Sequence, residues 1–270
     1  MDLWTALGMM AIGSAAGLVG GLLGVGGSIV MIPAMTELLG PDQHLYQAAA
    51  MIVNLFVVIP AVYQHARANA IRFEVVRWIV PAGMVSVVIG VAVSERPIFA
   101  GEGQRYLMAV FGLFLFYVTG YQVWKLWSPA NPGEVVSTSA PSRHPARIAL
   151  LVGIPTGLVA GLLGVGGGIV AVPLQVRLLK IPLRTAIANS ATTIIGISAL
   201  GAVLKNHALV THHELALTQS LQLAGLLIPT AIVGSYLGSR LTHTLPLRTV
   251  QAAFILLMLA AAMRMTTRAL

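Results

Sequence analysis

The pentapeptides Gly24-Val25-Gly26-Gly27-Ser28 and Gly164-Val165-Gly166-Gly167-Gly168 are the residues of this chain best suited to hold a ligand. Glycine admits positive φ and lets a ligand approach the backbone closely. Where a helix begins directly after such a turn, its first amides lack partners and the positive end of its dipole is presented. The chemistry on offer is anion binding by backbone N–H groups, with no lysine or arginine required. Polar side chains inside apolar stretches are a second source. Asn189, Ser190, Thr192 and Thr193 fall together in AIANSATT, and the matching stretch AAAMIVNL offers Asn54. Unpartnered donors are costly in hydrocarbon, so such groups face protein or a cavity. The expected substrate contacts are therefore Gly24, Val25, Gly26, Gly27 and Ser28, then Gly164, Val165, Gly166, Gly167 and Gly168, with Asn54, Asn189, Ser190 and Thr193.

Other chemistries lack their residues. Cysteine is absent. Neither glycine loop ends in the Gly-Lys-Ser/Thr of a nucleotide loop, and the third glycine of a dinucleotide fingerprint falls on Ile29 and Ile169. His44, His144, His207, His212, His213 and His243 are expected in loops or at interfaces. His212-His213 has no ligand-type residue one helical turn away, so no metal site and no cofactor are expected. Ser28 could be imagined as a nucleophile, but its repeat mate is Gly168 and no His–Asp pair lies in an apolar run, so no enzyme is expected. No Asp or Glu lies inside any charge-free run. That argues against proton coupling through a carboxylate and suits an anionic substrate.

These residues need elements to position them. The chain is 57% hydrophobic and 9% charged, against about 25% charged residues in a soluble domain. Residues 3–36, 43–66, 78–94, 106–124, 148–176, 185–204, 215–239 and 249–263 contain no Asp, Glu, Lys or Arg. A bilayer core takes roughly 20 apolar residues as a helix, so this is an all-α, polytopic membrane protein with 8–10 membrane segments. The start, Met1-Asp2-Leu3-Trp4, lacks the basic stretch of a cleavable signal peptide. The net charge of +8 comes from basic residues between the apolar runs, where they mark the cytoplasmic side, so nucleic acid is not expected as a partner.

The chain is also duplicated. GLVGGLLGVGGSIVMIP at 17–33 and GLVAGLLGVGGGIVAVP at 157–173 share thirteen of seventeen positions at an offset of 140. Further on, Glu37-Leu38-Leu39 matches Arg177-Leu178-Leu179, and Gln47-Ala48-Ala49-Ala50 matches Thr185-Ala186-Ile187-Ala188. The Pro- and Ser-rich segment 128–147 divides an N-terminal transmembrane repeat, 1–127, from a C-terminal one, 148–270. As single helices the first runs of the two halves would measure about 51 and 43 Å, too long for one crossing. Each is therefore a broken helix, interrupted at its glycine cluster. If each break turns back as a hairpin, eleven Lys and Arg fall on one side and five on the other; if the chain continues across, the split is nine to seven. The positive-inside rule prefers the hairpin, and with it two inverted repeats and a cytoplasmic 128–147 linker. Gly13, Gly17 and Gly21, like Gly153, Gly157 and Gly161, are spaced by four and read as close helix packing.

The doubled glycine signature, with Ala186-x-x-Asn189-Ser190 following the second copy, resembles the TauE/SafE family, the toluene-sulfonate uptake permease group of sulfite and organosulfonate exporters. The likeness covers nearly the whole chain. It implies a bacterial or archaeal inner-membrane transporter for sulfur-containing or carboxylated organic anions, in a fold described with about eight membrane helices. Two departures stand out: Met51-Ile52 replaces a second small polar pair, and Ser28 stands where the other copy has Gly168. The expected function is a secondary transporter exporting a small anion by alternating access. An anion channel with the glycine loops as its filter, or an intramembrane enzyme, are the alternatives. Export from a negative-inside cell is downhill by about 2.3 kcal/mol per charge per 100 mV, so coupling is not required. The expected partners are the small anion, the lipid bilayer and a second copy of the chain in a homodimer.

Overall fold

The computed structural model describes residues 3–127, 144–213, 217–242 and 247–269. The 128–147 linker thus lies outside the described residues except for its last four, three of which already belong to a helix. Among the described residues there is no strand. Ten principal helices follow in order: α1 (Leu3–Leu23), α2 (Ser28–Leu39), α3 (Gln43–Arg67), α4 (Phe73–Ser94), α5 (Gln104–Trp127), α6 (Pro145–Leu163), α7 (Gly168–Leu178), α8 (Leu183–His212), α9 (Leu217–Leu241) and α10 (Leu247–Ala269). Seven described helices are long and apolar enough to cross a membrane, and α2 and α7 are shorter apolar ones. Large apolar side chains such as Val85, Ile89, Leu113, Val203 and Val233 lie exposed on the outside, as suits a lipid-facing wall. The chain is a multi-pass membrane protein.

Glycine stops α1 and α6 in the same way. Gly24 and Gly164 adopt left-handed φ of 63° and 70°, and each amide closes the last turn onto Gly20 or Ala160. The chain then reverses. Gly27 lies against Ala16, and a β-carbon on Gly8 would meet the Leu38 side chain, so α2 runs back along α1. Gly167 lies against Thr156 and Ala160 in the same sense. Within α6, Ala149–Gly153 widens to a π turn one residue before Pro155, which lacks the N–H that a regular α turn would use.

The halves are interlocked. Helix α1 packs on α9, and α6 packs on α4. Both contacts are backbone-close. A β-carbon on Gly17 would stand 2.1 Å from Ala231 O, and one on Gly157 would stand 2.1 Å from Gly83 O. This is where the two glycine ladders of the sequence fall. Helices α3 and α8 cross antiparallel at the centre, with Met51 beside Gly201 and Asn206 bonded to Ala48 O. Gly24 abuts Ile187 while Gly164 abuts Gln47, so the offset of 140 persists into these central helices. The sequence alignment had paired Gln47 with Thr185, two residues away. A run of alanines and branched apolar residues tolerates such a slip without a visible penalty.

Candidate functional site

Both glycine loops are fully buried and touch each other. A β-carbon on Gly168 would stand 2.4 Å from Gly24 O and 2.6 Å from the Val25 Cα. Positive φ recurs at Gly24 and Gly26, and at Gly164, Gly166 and Gly167, conformations that a side chain would strain. Gly27 donates its amide to Asn54 Oδ1 at 2.8 Å. The amides of Val25, Gly26 and Ser28, and those of Gly166, Gly167 and Gly168, donate to no group among the described residues. Those of Ser28, Gly167 and Gly168 are the free N–H ends that a helix start leaves unsatisfied, and the others belong to the loops before them.

Asn54, from the middle of α3, sits between the loops. Its Nδ2 donates to Ser28 Oγ, and a β-carbon on Gly166 would stand 2.8 Å from the same Nδ2. Ser190, from α8, joins them from the other side, donating to Gly24 O at 2.8 Å and lying 3.5 Å from Gly168 O. The structure thus brings together Gly24–Ser28, Gly164–Gly168, Asn54 and Ser190. Asn189 stands elsewhere. Its Oδ1 accepts from the Arg72 amide at 2.7 Å, and its Nδ2 donates to Gln175 Oε1 at 3.0 Å. It ties the start of α4 to α7 and α8. Thr193 is buried and donates to Asn189 O, one turn back along its own helix.

Two hydroxyls that the sequence reading passed over border the second loop. Ser198 Oγ would stand 3.3 Å from a β-carbon on Gly166, and Thr156 packs against Gly167. Both oxygens are buried and without a hydrogen-bond partner. Buried polar atoms are rarely left so. Each was legible only as one hydroxyl in an apolar run.

A second polar cluster lies where α3 begins and α4 and α8 end. Lys205 is buried and donates to Gln47 Oε1 at 2.6 Å, to Ser94 Oγ at 2.5 Å and to Glu95 Oε1 at 3.3 Å. Glu95 Oε2 meets His213 Nε2 at 2.8 Å, and the His213 ring stacks on His44 with centroids 4.0 Å apart. The sequence reading left His44 and His213 as loop or interface residues. Glu95, one residue past a charge-free run, is only 9% exposed. His44, Glu95 and His213 bring ligand-type atoms within 4.8 Å of one another. The set does not suit a metal ion, since the Lys205 ammonium already occupies the carboxylate and the two rings lie face to face. Burial works to raise the Glu95 carboxyl, but its contact with His44, the charge of Lys205 and the His213 hydrogen bond together hold it well below the usual carboxylate range. Burial, and then the charge of His44, push His213 below the ordinary histidine value.

Comparison with known proteins follows the same lines. The family model described as Sulfite exporter TauE/SafE matches residues 9–265. The chain is 29% identical to the probable membrane transporter protein MamO of Magnetospirillum gryphiswaldense over 97% of its own length and 44% of that protein's. The MamO of Paramagnetospirillum magneticum is 28% identical over the same shares. The chain thus spans less than half the length of these two relatives. A probable membrane transporter protein of Haemophilus influenzae is 26% identical over 95% of this chain and 96% of that one. No solved structure matches.

Proposed function

The chain belongs to the sulfite exporter TauE/SafE family, and from that premise we propose that it is a secondary transporter moving a small anion out of the cell by alternating access. Sulfite, a sulfonate or a related organosulfur or carboxylate anion is the substrate class. In this reading the halves are inverted repeats, their broken first helices are re-entrant hairpins, the membrane is the inner one of a bacterium or archaeon, and the linker is cytoplasmic. The contact scheme supports it, since α1 on α9 mirrors α6 on α4 and both hairpins meet at α3 and α8.

One observation carries the proposal. Two buried turns with unbonded amides face each other, and Asn54, Ser190 and the unpartnered hydroxyls of Ser198 and Thr156 surround them. An anion held there would accept from both helix starts at once, with the loops parting to admit it. The test is thermal stabilisation of the purified protein by sulfite, methanesulfonate, sulfoacetate and acetate. At least one should raise the melting temperature. Gly26→Leu, Gly166→Leu and the milder Ser198→Ala should weaken the effect. An anion that stabilises wild type and all three variants equally would make the glycine loops structural.

A further inference from the structure

The Lys205 cluster has a gap in its bonding. His44 Nε2 lies 2.9 Å from Phe99 O, which can only accept, so the neutral ring carries its hydrogen on Nε2. That leaves Nδ1 as a lone pair, buried and without a hydrogen bond, 3.4 Å from Glu95 Oε1. A lone pair facing a carboxylate is unfavourable, and one proton turns the contact into a charge-assisted hydrogen bond. The stacked His213 ring, 4.0 Å away, limits uptake to one, since two imidazolium rings would repel at that distance. The charged groups facing the pair are Asp42 from the turn before α3, Glu95 at the end of α4 and Lys205 on α8.

The cluster also reaches the glycine loops. Gln47 accepts from Lys205 through Oε1, while a β-carbon on Gly164 would stand 2.7 Å from its Cβ. Its Nε2 is buried and unpartnered, as are both side-chain polar atoms of Gln43 one turn earlier. A single side chain thus touches the ammonium at one end and the second glycine loop along its stem.

We propose that His44, Glu95, His213 and Lys205 form the proton site of this transporter, that one proton enters at His44 Nδ1, and that Gln47 links its presence to the Gly164–Gly168 loop. The inference rests on the anion-transporter reading and adds its coupling ion. Protonated His44 competes with Lys205 for Glu95 and leaves more of the ammonium's positive charge to the loop. By linkage a bound anion raises the affinity for the proton as much as the proton raises that for the anion. Anion and proton therefore travel together, and export runs when the outward gradient of the anion exceeds the inward gradient of the proton. No bond changes except the N–H on His44, which forms on one side of the membrane and breaks on the other. The charge-free runs argued against carboxylate coupling. Glu95 escapes that argument by standing one residue beyond such a run and being buried by neighbouring helices.

The test uses the whole chain in liposomes with methanesulfonate, which carries no titratable proton of its own near neutral pH. With one proton per anion, a gradient of one pH unit should accumulate the anion about tenfold on the alkaline side. The accumulation should not depend on membrane potential. In Glu95→Gln and His213→Gln the accumulation ratio should fall to about one. Wild-type flux that merely equilibrates across the pH gradient overturns the proton site and leaves the anion reading standing. If neither methanesulfonate nor sulfite moves, the anion reading fails, and histidine NMR of the purified protein decides the proton site. A histidine proton uptake that Glu95→Gln abolishes supports it, and histidine titrations indifferent to Glu95→Gln overturn it.

Discussion

Replacing Gly157 by alanine adds one carbon at one of the tightest helix contacts. That carbon would stand 2.1 Å from Gly83 O and 2.1 Å from Ser86 Oγ, where ordinary contacts begin at 3.4 Å. Helices α4 and α6 must separate by more than about 1 Å to admit it, an overpacking that costs roughly 2 kcal/mol. For a chain of this size that lowers the melting temperature by about 4–8 °C. Gly225 is the control. It lies in the interior of α9, and a β-carbon there meets nothing within 4 Å. Gly225→Ala should raise stability by up to about 1 kcal/mol through helix propensity alone. Thermal unfolding in detergent, followed by tryptophan fluorescence, should therefore show shifts of opposite sign. Gly17→Ala, 2.1 Å from Ala231 O, should behave like Gly157→Ala. A neutral or stabilising Gly157→Ala would refute the close packing and the interlocked arrangement with it.

Asn54→Leu removes the bonds to Gly27 and Ser28; it should lower the melting temperature, leaving a buried amide unpaired at about 1–3 kcal/mol, and weaken anion binding in the same titration. Stability should also fall as pH drops. His213 has its value depressed in the fold, so its contribution is present above about pH 6.5 and is lost as the unfolded chain takes up a proton below that; Glu95, depressed below the usual carboxylate range, loses its own contribution only at more acidic pH. A His213→Gln variant should flatten the fall in melting temperature between about pH 7.5 and 5.5, and an unchanged slope would contradict the His213 direction, while the limb below the carboxylate range should flatten in Glu95→Gln. Arg268 grips Glu37 with two nitrogens at 3.0 and 3.2 Å, yet the pair is exposed. Arg268→Ala should therefore shift stability by less than about 1 kcal/mol, and a larger loss would mean the pair is shielded from water.

What the sequence made legible is what the duplication repeats. The glycine loops, the helix ends they cap and the four-residue glycine ladders all appear twice, and a pattern seen twice is hard to produce by chance. Polar residues that occur once were harder to read. Asn189 stood out as a polar residue in an apolar run, and nothing in the sequence showed that its partners are the Arg72 amide, just before α4, and Gln175 of α7. Asn54, isolated in its run, lies against both loops, because position along α3 mattered more than the company of other polar residues. Glu95, Lys205, His44 and His213 were assigned to the ends of segments by the charge pattern. Charge-free runs show where a helix can face lipid, and they are silent on how deeply its end is buried by other helices.

The exchange of seats between α1 and α6 bears on how the chain is made. The first helix to be synthesised finds its place only on α9, some two hundred residues later, while α4 must wait for α6. Neither repeat can complete its core while the other is still in the ribosome. A half-length ancestor with this design could have closed its packing only around a twin, and assembly errors should show as pairs of chains that have traded their opening hairpins.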